Sequence, residues 1–133
     1  MEIEFSYRKE NSKLIGVIYR PIAKVEFKSS MGWVPELMYV DSGADITLIP
    51  KSLGDLLGFD IQTEEIHDVR GVGETAIPVI LKNIEIKLGE YVFNSRVAWA
   101  LIEEVPPLLG RLDVFDQFDV NFTQKEKKVV FRR

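Results

Sequence analysis

Residues 37–50, LMYVDSGADITLIP, are the most informative stretch of the sequence. Apolar residues precede the tripeptide 41–43, Asp-Ser-Gly, and a second apolar run begins at Ile46. Since strands bury apolar alternations, the pattern places Asp41 at a sharp turn between two core strands. A carboxylate at the edge of a core is costly unless it is hydrogen-bonded or used in chemistry. Asp41 is therefore the first candidate functional residue.

The composition predicts one globular domain that covers residues 1–133. The chain is 46% hydrophobic and 29% charged, and its length suits one core but not two. A net charge of -4 argues against a nucleic-acid-binding protein. The sequence has no cysteine, which excludes disulfides and thiolate catalysis. It also shows no signal-peptide core and no apolar run of membrane-spanning length, so we expect a cytoplasmic protein without a membrane partner.

Alternation of apolar and polar residues predicts a mostly β protein with one or two short helices. A turn is expected at residues 11–12. The first helix is predicted at residues 50–58, with Ser52 as its cap and Gly58 as its stop, and the second at residues 112–118. The predicted strands are residues 3–7, 14–19, 22–28, 33–40, 65–69, 75–81, 84–88, 91–102, 119–122 and 128–131. The expected architecture is a small closed barrel or folded sheet.

Three short blocks are candidates for the chemistry, and each is a weak signal by itself. Residues 40–45 contain Asp-Ser-Gly, which is most often a local turn. Residues 71–73, Gly-Val-Gly, form the tip of a predicted hairpin, in which Pro78 favours an edge or protruding strand. Residues 107–111, PLLGR, taken alone indicate only the end of a core strand. Their order and spacing carry more information than any single block.

Together the blocks resemble the retropepsin-like aspartic proteases, the single-lobe relatives of pepsin, in a prokaryotic-type form. The family pattern is an apolar strand, Asp-Thr/Ser-Gly-Ala, a glycine-rich flap hairpin, and then two apolar residues with Gly-Arg. The resemblance runs over about residues 19–122 and includes Tyr-Arg-Pro at residues 19–21. It implies a retropepsin-like closed barrel that acts as a homodimer, and an aspartic endopeptidase activity.

The resemblance also implies roles for individual residues in the first and third blocks. Asp41 is the implied catalytic acid, and Ser42 supplies a hydroxyl that hydrogen-bonds between the two active-site loops. Gly43 permits a tight loop and the close approach of a peptide. Asp45 is implied to bind the substrate main chain, and Arg111 to form an ion pair with Asp45.

Two further implied contacts involve the start of the matched region and the flap. Arg20 is implied to reach Asp45 of the other subunit. The flap tip is implied to close over the substrate and to donate backbone hydrogen bonds to it. The residues of this tip are Gly71, Val72 and Gly73.

The sequence contains one Asp-Ser-Gly, whereas aspartic protease chemistry needs two carboxylates that share one proton. A C2 homodimer would supply the second Asp41 at its axis. No metal or other cofactor is expected: strand alternation sends Glu65 and His67 to one face and Asp68 to the other, and residues 41–45 lack the alternating oxygen ligands of a calcium loop. The expected partners are a second copy and a peptide or protein substrate.

Two alternatives stay open at the level of the sequence. The same fold could serve a non-catalytic peptide-binding or scaffold module, because a fold does not fix a function. Residues 1–7 and 128–131 lie outside the matched region. They are expected either to pair within their own subunit or to build a new dimer interface.

Overall fold

The computed structural model describes residues 1–61, 65–71 and 75–133. Its one described helix is α1 (Lys51–Leu56). The described strands are β1 (Glu2–Ser6), β2 (Arg8–Ser12), β3 (Gly16–Arg20), β4 (Ile22–Ser29), β5 (Gly32–Val40), β6 (Thr47–Ile49), β7 (Ile66–Arg70), β8 (Ala76–Leu88), β9 (Tyr91–Ala100), β10 (Leu108–Leu109), β11 (Asp119–Thr123) and β12 (Lys128–Arg132).

Strands of the central sheet close into a barrel. The sheet has the order β4-β5-β10-β6-β9-β8-β7, and β4 also pairs with β8, so that the first six strands form a ring. β8 is long enough to serve two partners: its first residues pair with β7 and its last residues pair with β4. β7 therefore projects beyond the ring as one arm of a hairpin. The predicted mostly β class and closed barrel are confirmed.

The core follows from the alternation that the sequence shows. Along β4, Ala23, Val25 and Phe27 are fully buried, whereas Lys24 between them faces solvent. Trp99 of β9 is buried as well, and its indole N–H donates to the Lys51 carbonyl oxygen at 3.0 Å. That bond satisfies the one polar atom of the indole ring and attaches α1 to the barrel.

The two ends of the chain form their own three-stranded sheet, in the order β1-β12-β11. β1 pairs antiparallel with β12 from Glu2 opposite Arg132 to Ser6 opposite Lys128. Phe131 at the centre of this sheet is fully buried and meets the rings of Phe5 and Phe118 edge to face. Of the two possibilities left open for the termini, pairing within one subunit is the observed one.

Two local predictions near the start of the chain and the helix were wrong. Residues 11–12 belong to β2, and the turn follows them at residues 13–15. Ser52 does not cap α1, because Pro50 is the N-cap residue. The Ser52 side chain instead donates to Glu103 at 2.7 Å. Gly58 ends the helix as predicted, in a left-handed conformation with a φ of 87°.

Two other elements also differ from the prediction. The strands predicted at residues 75–81 and 84–88 are one continuous strand, β8. Residues 112–117 form consecutive turns in place of the second helix predicted at residues 112–118. Asp113 has a φ of 65°, and an α-helix cannot continue through a left-handed residue.

The unusual backbone at Asp113 is held by Arg96. The Asp113 carboxylate accepts hydrogen bonds from the Arg96 backbone N–H at 2.8 Å and from Nε and Nη2 of its side chain, each at 2.9 Å. The side-chain hydrogen bonds from Arg96 lower the pKa of Asp113; partial burial opposes this shift, and the backbone bond and the charge of Arg96 add to it. The ionised form of Asp113 therefore stabilises the turn.

We expect the Asp113→Asn substitution to lower stability at pH 7, because it keeps a residue that tolerates positive φ but removes the charge that binds Arg96. A carboxyl whose folded-state pKa is lowered contributes stability above its unfolded-state pKa, and loses that contribution as the pH falls through the folded-state value. The difference in urea midpoint between wild type and variant should therefore shrink in acid. The exposed Asp119→Asn change serves as the control. An Asp113→Asn effect that is the same at all pH values would contradict the assignment.

Candidate active site

The first block forms the loop between β5 and β6, and its backbone holds Asp41 in a defined position. The Asp41 N–H donates to the Leu109 carbonyl oxygen at 3.0 Å, and its own carbonyl oxygen accepts the Ala44 N–H at 3.2 Å. The carboxylate oxygen Oδ1 accepts the Gly43 N–H at 2.9 Å. Asp41 is half-buried, whereas Ser42 and Gly43 are exposed. The carboxylate thus lies at the protein surface on a fixed backbone.

The third block, residues 107–111, crosses the first block, residues 40–45, and holds it in place through hydrogen bonds. β10 lies between β5 and β6, parallel to β5 and antiparallel to β6. Immediately after β10, the Arg111 N–H donates to the Ala44 carbonyl oxygen and the Leu112 N–H donates to the Asp45 carbonyl oxygen, each at 2.9 Å. Segments that are far apart in the sequence therefore form one interlocked unit around Asp41.

Gly110 packs directly against Thr47 in this unit, with no space for a side chain. The Gly110 N–H donates to the Thr47 hydroxyl at 3.1 Å, and the Thr47 side chain is fully buried. A Cβ at Gly110 would collide with the backbone of Ile46 and Thr47. Sequence reasoning missed Thr47, although a hydroxyl residue inside an otherwise apolar run is the signal that could have indicated it.

Asp45 and Arg111, which the resemblance paired, are in contact. Nη2 of Arg111 lies 2.7 Å from Oδ1 of Asp45, and both side chains are exposed. An exposed ion pair contributes little to stability. Its effect is therefore to orient the Asp45 carboxylate at the end of the loop.

Two of the other residues predicted for the site, Arg20 and Gly71, lie within the described part of the chain. Arg20 lies at the end of β3, and its Nε is 3.0 Å from a carboxylate oxygen of Glu10 in the same chain. Its contact with Asp45 of another subunit stays a prediction. Gly71 is exposed at the end of β7. Val72 and Gly73, predicted for the flap tip, lie outside the described residues.

Asp41 borders two open cavities. One, of about 460 Å³, lies between the loop and the β7–β8 hairpin, and Asp45 and Gly71 also line it. Its apolar wall consists of Ile46, Leu48, Val69, Ile77 and Leu108. The other, of about 490 Å³, is lined by Glu10, Arg20, Pro21, Tyr39, Val40, Pro106 and Leu108. Asp41 and Leu108 are common to both cavities, so the carboxylate lies where the two spaces meet.

A polar cluster that the sequence did not reveal lines the second cavity. Oε2 of Glu10 accepts the Tyr39 hydroxyl at 2.8 Å and the Arg8 guanidinium at 2.8 Å. Arg8 and Arg20 also stand over the Tyr39 ring, at 5.4 and 5.8 Å from its centroid. Partial burial alone would raise the pKa of Glu10, but the hydrogen bonds from Arg8 and Tyr39 and the two arginine charges lower it overall.

The single histidine of the sequence lies near an acidic side chain. His67 lies 3.8 Å from Glu65, and both are exposed. Residues 1–61, 65–71 and 75–133 contain no group of three or more histidine, cysteine or acidic side chains arranged to bind a metal ion. In the same ranges, no helix has the length and apolar character that crossing a bilayer requires.

Comparison with known proteins agrees with this geometry. The aspartyl protease family matches residues 30–111, which span the loop, the hairpin and the crossing segment. The chain belongs to the aspartyl protease family. No curated protein sequence matches the chain.

Two solved structures show the same fold as this protease. A retropepsin-like aspartic protease from Rickettsia conorii aligns with a TM-score of 0.65 and 16% identity, over 98% of this chain and 90% of that chain. The EIAV protease complexed with the inhibitor HBY-793 aligns with a TM-score of 0.58 and 20% identity, over 81% of this chain and 93% of that chain. The retropepsin-like assignment from the sequence is confirmed.

We expect the Gly110→Ala substitution to destabilise the protease by about 2 kcal/mol or more, because its Cβ would meet backbone that cannot move independently. The matched control is Gly71→Ala, since a Cβ at Gly71 has no neighbour within 4 Å among the described residues. Urea unfolding of both variants measures the difference. Equal stability of the two variants would show that the crossing of the two segments is looser than the structure indicates.

Proposed function

We propose that the chain is a homodimeric aspartic endopeptidase whose two catalytic carboxylates are the Asp41 side chains of two identical subunits. The observation that carries the proposal is the position of Asp41: a fixed, half-buried carboxylate where two open cavities meet. The sequence has one Asp-Ser-Gly, and the chemistry needs two carboxylates. A C2 axis beside Asp41 satisfies this need with no additional residue.

In the proposed reaction the two Asp41 carboxyl groups share one proton and hold one water molecule between them. The ionised carboxylate takes a proton from the water as its oxygen attacks the scissile carbonyl carbon. The protonated carboxyl gives its proton to the carbonyl oxygen, which yields a tetrahedral diol. Collapse of the diol breaks the C–N bond: the leaving nitrogen takes the proton that the first carboxylate had accepted, and one diol hydroxyl returns its proton to the second carboxylate as the carbonyl of the product acid re-forms, which restores the shared proton. No cofactor enters these steps.

The supporting residues are assigned to binding and orientation. Gly43 leaves room for the substrate backbone, and Asp45, oriented by Arg111, accepts a hydrogen bond from the substrate main chain. Ser42 is proposed to hydrogen-bond across to the second subunit's loop. Arg20 is proposed to reach the second subunit's Asp45.

The substrate class follows from the cavity under the hairpin. Its apolar wall favours extended peptides with apolar side chains next to the scissile bond. Gly71, Val72 and Gly73 are proposed to close over the bound peptide and to donate backbone hydrogen bonds. The cytoplasm is the proposed compartment, in line with the expectation from the sequence.

We expect the Asp41→Asn substitution to lower peptide cleavage by at least about 10²–10⁴-fold, because an amide cannot act as the base that accepts the water proton. Folding should be unchanged, since Asn retains an oxygen that can accept the Gly43 N–H. The measurement is hydrolysis of an apolar peptide by purified protein, with and without a pepstatin-type inhibitor. Asp119→Asn, which removes an exposed carboxylate from β11, is the matched control.

Two results would count against the proposal. Cleavage that survives Asp41→Asn would assign the activity to other residues. A chain that stays monomeric at micromolar concentration, and binds the peptide without cutting it, would favour the non-catalytic binding module.

A further inference from the structure

The β2–β3 hairpin is the least integrated part of the described fold. It forms a two-stranded sheet of its own, with Arg8 opposite Arg20 at one end and Ser12 opposite Gly16 at the other. The described strand pairings connect it neither to the barrel nor to the terminal sheet. An isolated two-stranded hairpin is marginally stable in water. This hairpin therefore depends on contacts outside its own sheet.

One end of the hairpin is fixed beside Asp41. Glu10 of β2 binds the Tyr39 hydroxyl and the Arg20 side chain, and Tyr39 lies two residues before Asp41 on β5. Glu10, Arg20 and Asp41 line the same cavity. From Glu10, β2 runs two more residues to Ser12, which places the start of the turn about 7 Å from this attachment, at roughly 3.3 Å per residue.

The far end of the hairpin is apolar and open to solvent. Leu14 is 90% exposed and Ile15 69% exposed in the turn, and Val17 of β3 is 51% exposed. Single exposed apolar side chains are ordinary on a protein surface. Three of them within residues 14–17, at the end away from Arg20, indicate a surface that another molecule covers.

The charge of the hairpin favours a second copy of this chain as the covering molecule. Residues 8–20 carry four basic side chains (Arg8, Lys9, Lys13 and Arg20) and one acidic side chain, Glu10. Because the whole chain has a net charge of -4, the rest of it is strongly acidic. A basic hairpin is thus electrostatically complementary to the body of an identical subunit.

We propose that the β2–β3 hairpin reaches across to a second copy of the chain, packs its apolar tip on that copy, and so holds the two Asp41 residues together. The inference rests on the proposed function, which requires two copies at one site. The hairpin is suited to this because its attachment adjoins Asp41 while its tip is free. The contacts of Glu10 with Tyr39, Arg8 and Arg20 set the direction in which the hairpin extends away from Asp41.

The test compares apolar-to-acidic changes in two exposed hairpin turns. Leu14→Asp and Ile15→Asp alter the tip, and Met31→Asp alters the 94% exposed turn residue of the β4–β5 hairpin. Sedimentation equilibrium gives the dimer dissociation constant, and peptide cleavage is followed over a range of protein concentrations. Leu14→Ser is a milder change at the same position, which keeps the test valid if an aspartate variant does not fold. Circular dichroism checks the fold of every variant.

We expect both tip aspartates to weaken the dimer about tenfold or more, as for the loss of a buried apolar contact. Cleavage per chain should then fall at low protein concentration and recover at high concentration. Leu14→Ser should have a smaller effect of the same kind, and Met31→Asp should have none.

Other outcomes separate this inference from the proposed function. Tip variants that dimerise as tightly as the wild type overturn the hairpin contact and leave the protease proposal standing. Unchanged dimers that cut short peptides normally but a folded protein substrate poorly would assign the tip to substrate binding, and also overturn it. A dimer that depends on the tip but cuts no peptide overturns the proposed function alone. A wild-type chain that is always monomeric overturns both.

Discussion

The rest of the site depends on the crossing of two chain segments. The loop that follows β5 and the segment that follows β10 exchange backbone hydrogen bonds, and Gly110 and Thr47 meet at the crossing with no space for a larger residue. Backbone groups buried at such a contact must be paired, so neither segment can shift without the other. This constraint fixes the Asp41 carboxylate relative to the barrel, and it places Asp45 and Arg111 together at the end of the same loop.

A rigid carboxylate is useful because catalysis by two acids requires a defined separation between them. In the proposed homodimer each subunit fixes its own Asp41 through the crossing, and the remaining degree of freedom is how the two subunits approach each other. The terminal strands β1 and β12 pair with each other within one chain. The β2–β3 hairpin is attached beside Asp41 through the contacts of Glu10 with Tyr39 and Arg20. The hairpin therefore extends from the active-site end of the barrel. The barrel thus positions one acid, and the hairpin is proposed to position the second copy.

The barrel was predictable because apolar and polar residues alternate over much of its strands, as they do from Ala23 to Phe27 in β4. The site was predictable in outline because Asp-Ser-Gly, the hairpin glycines and the Gly110-Arg111 pair occur in a fixed order. Contacts between distant residues were not predictable: nothing local in the sequence joins Thr47 to Gly110 or Glu10 to Tyr39. The polar pair at residues 82–83 lies between the predicted strands 75–81 and 84–88. It lies within β8 because that strand continues its pairing with β9 through both positions.

The central claim is that one active site needs an Asp41 from each of two chains. Mixing wild-type protein with an excess of Asp41→Asn protein, after subunit exchange, tests it directly. If both carboxylates are required, at a roughly ninefold excess of variant only about one-tenth of the wild-type chains find a wild-type partner, and cleavage per wild-type chain falls to about one-tenth. Cleavage per wild-type chain that does not change with added variant, while mixed dimers form, would contradict the account.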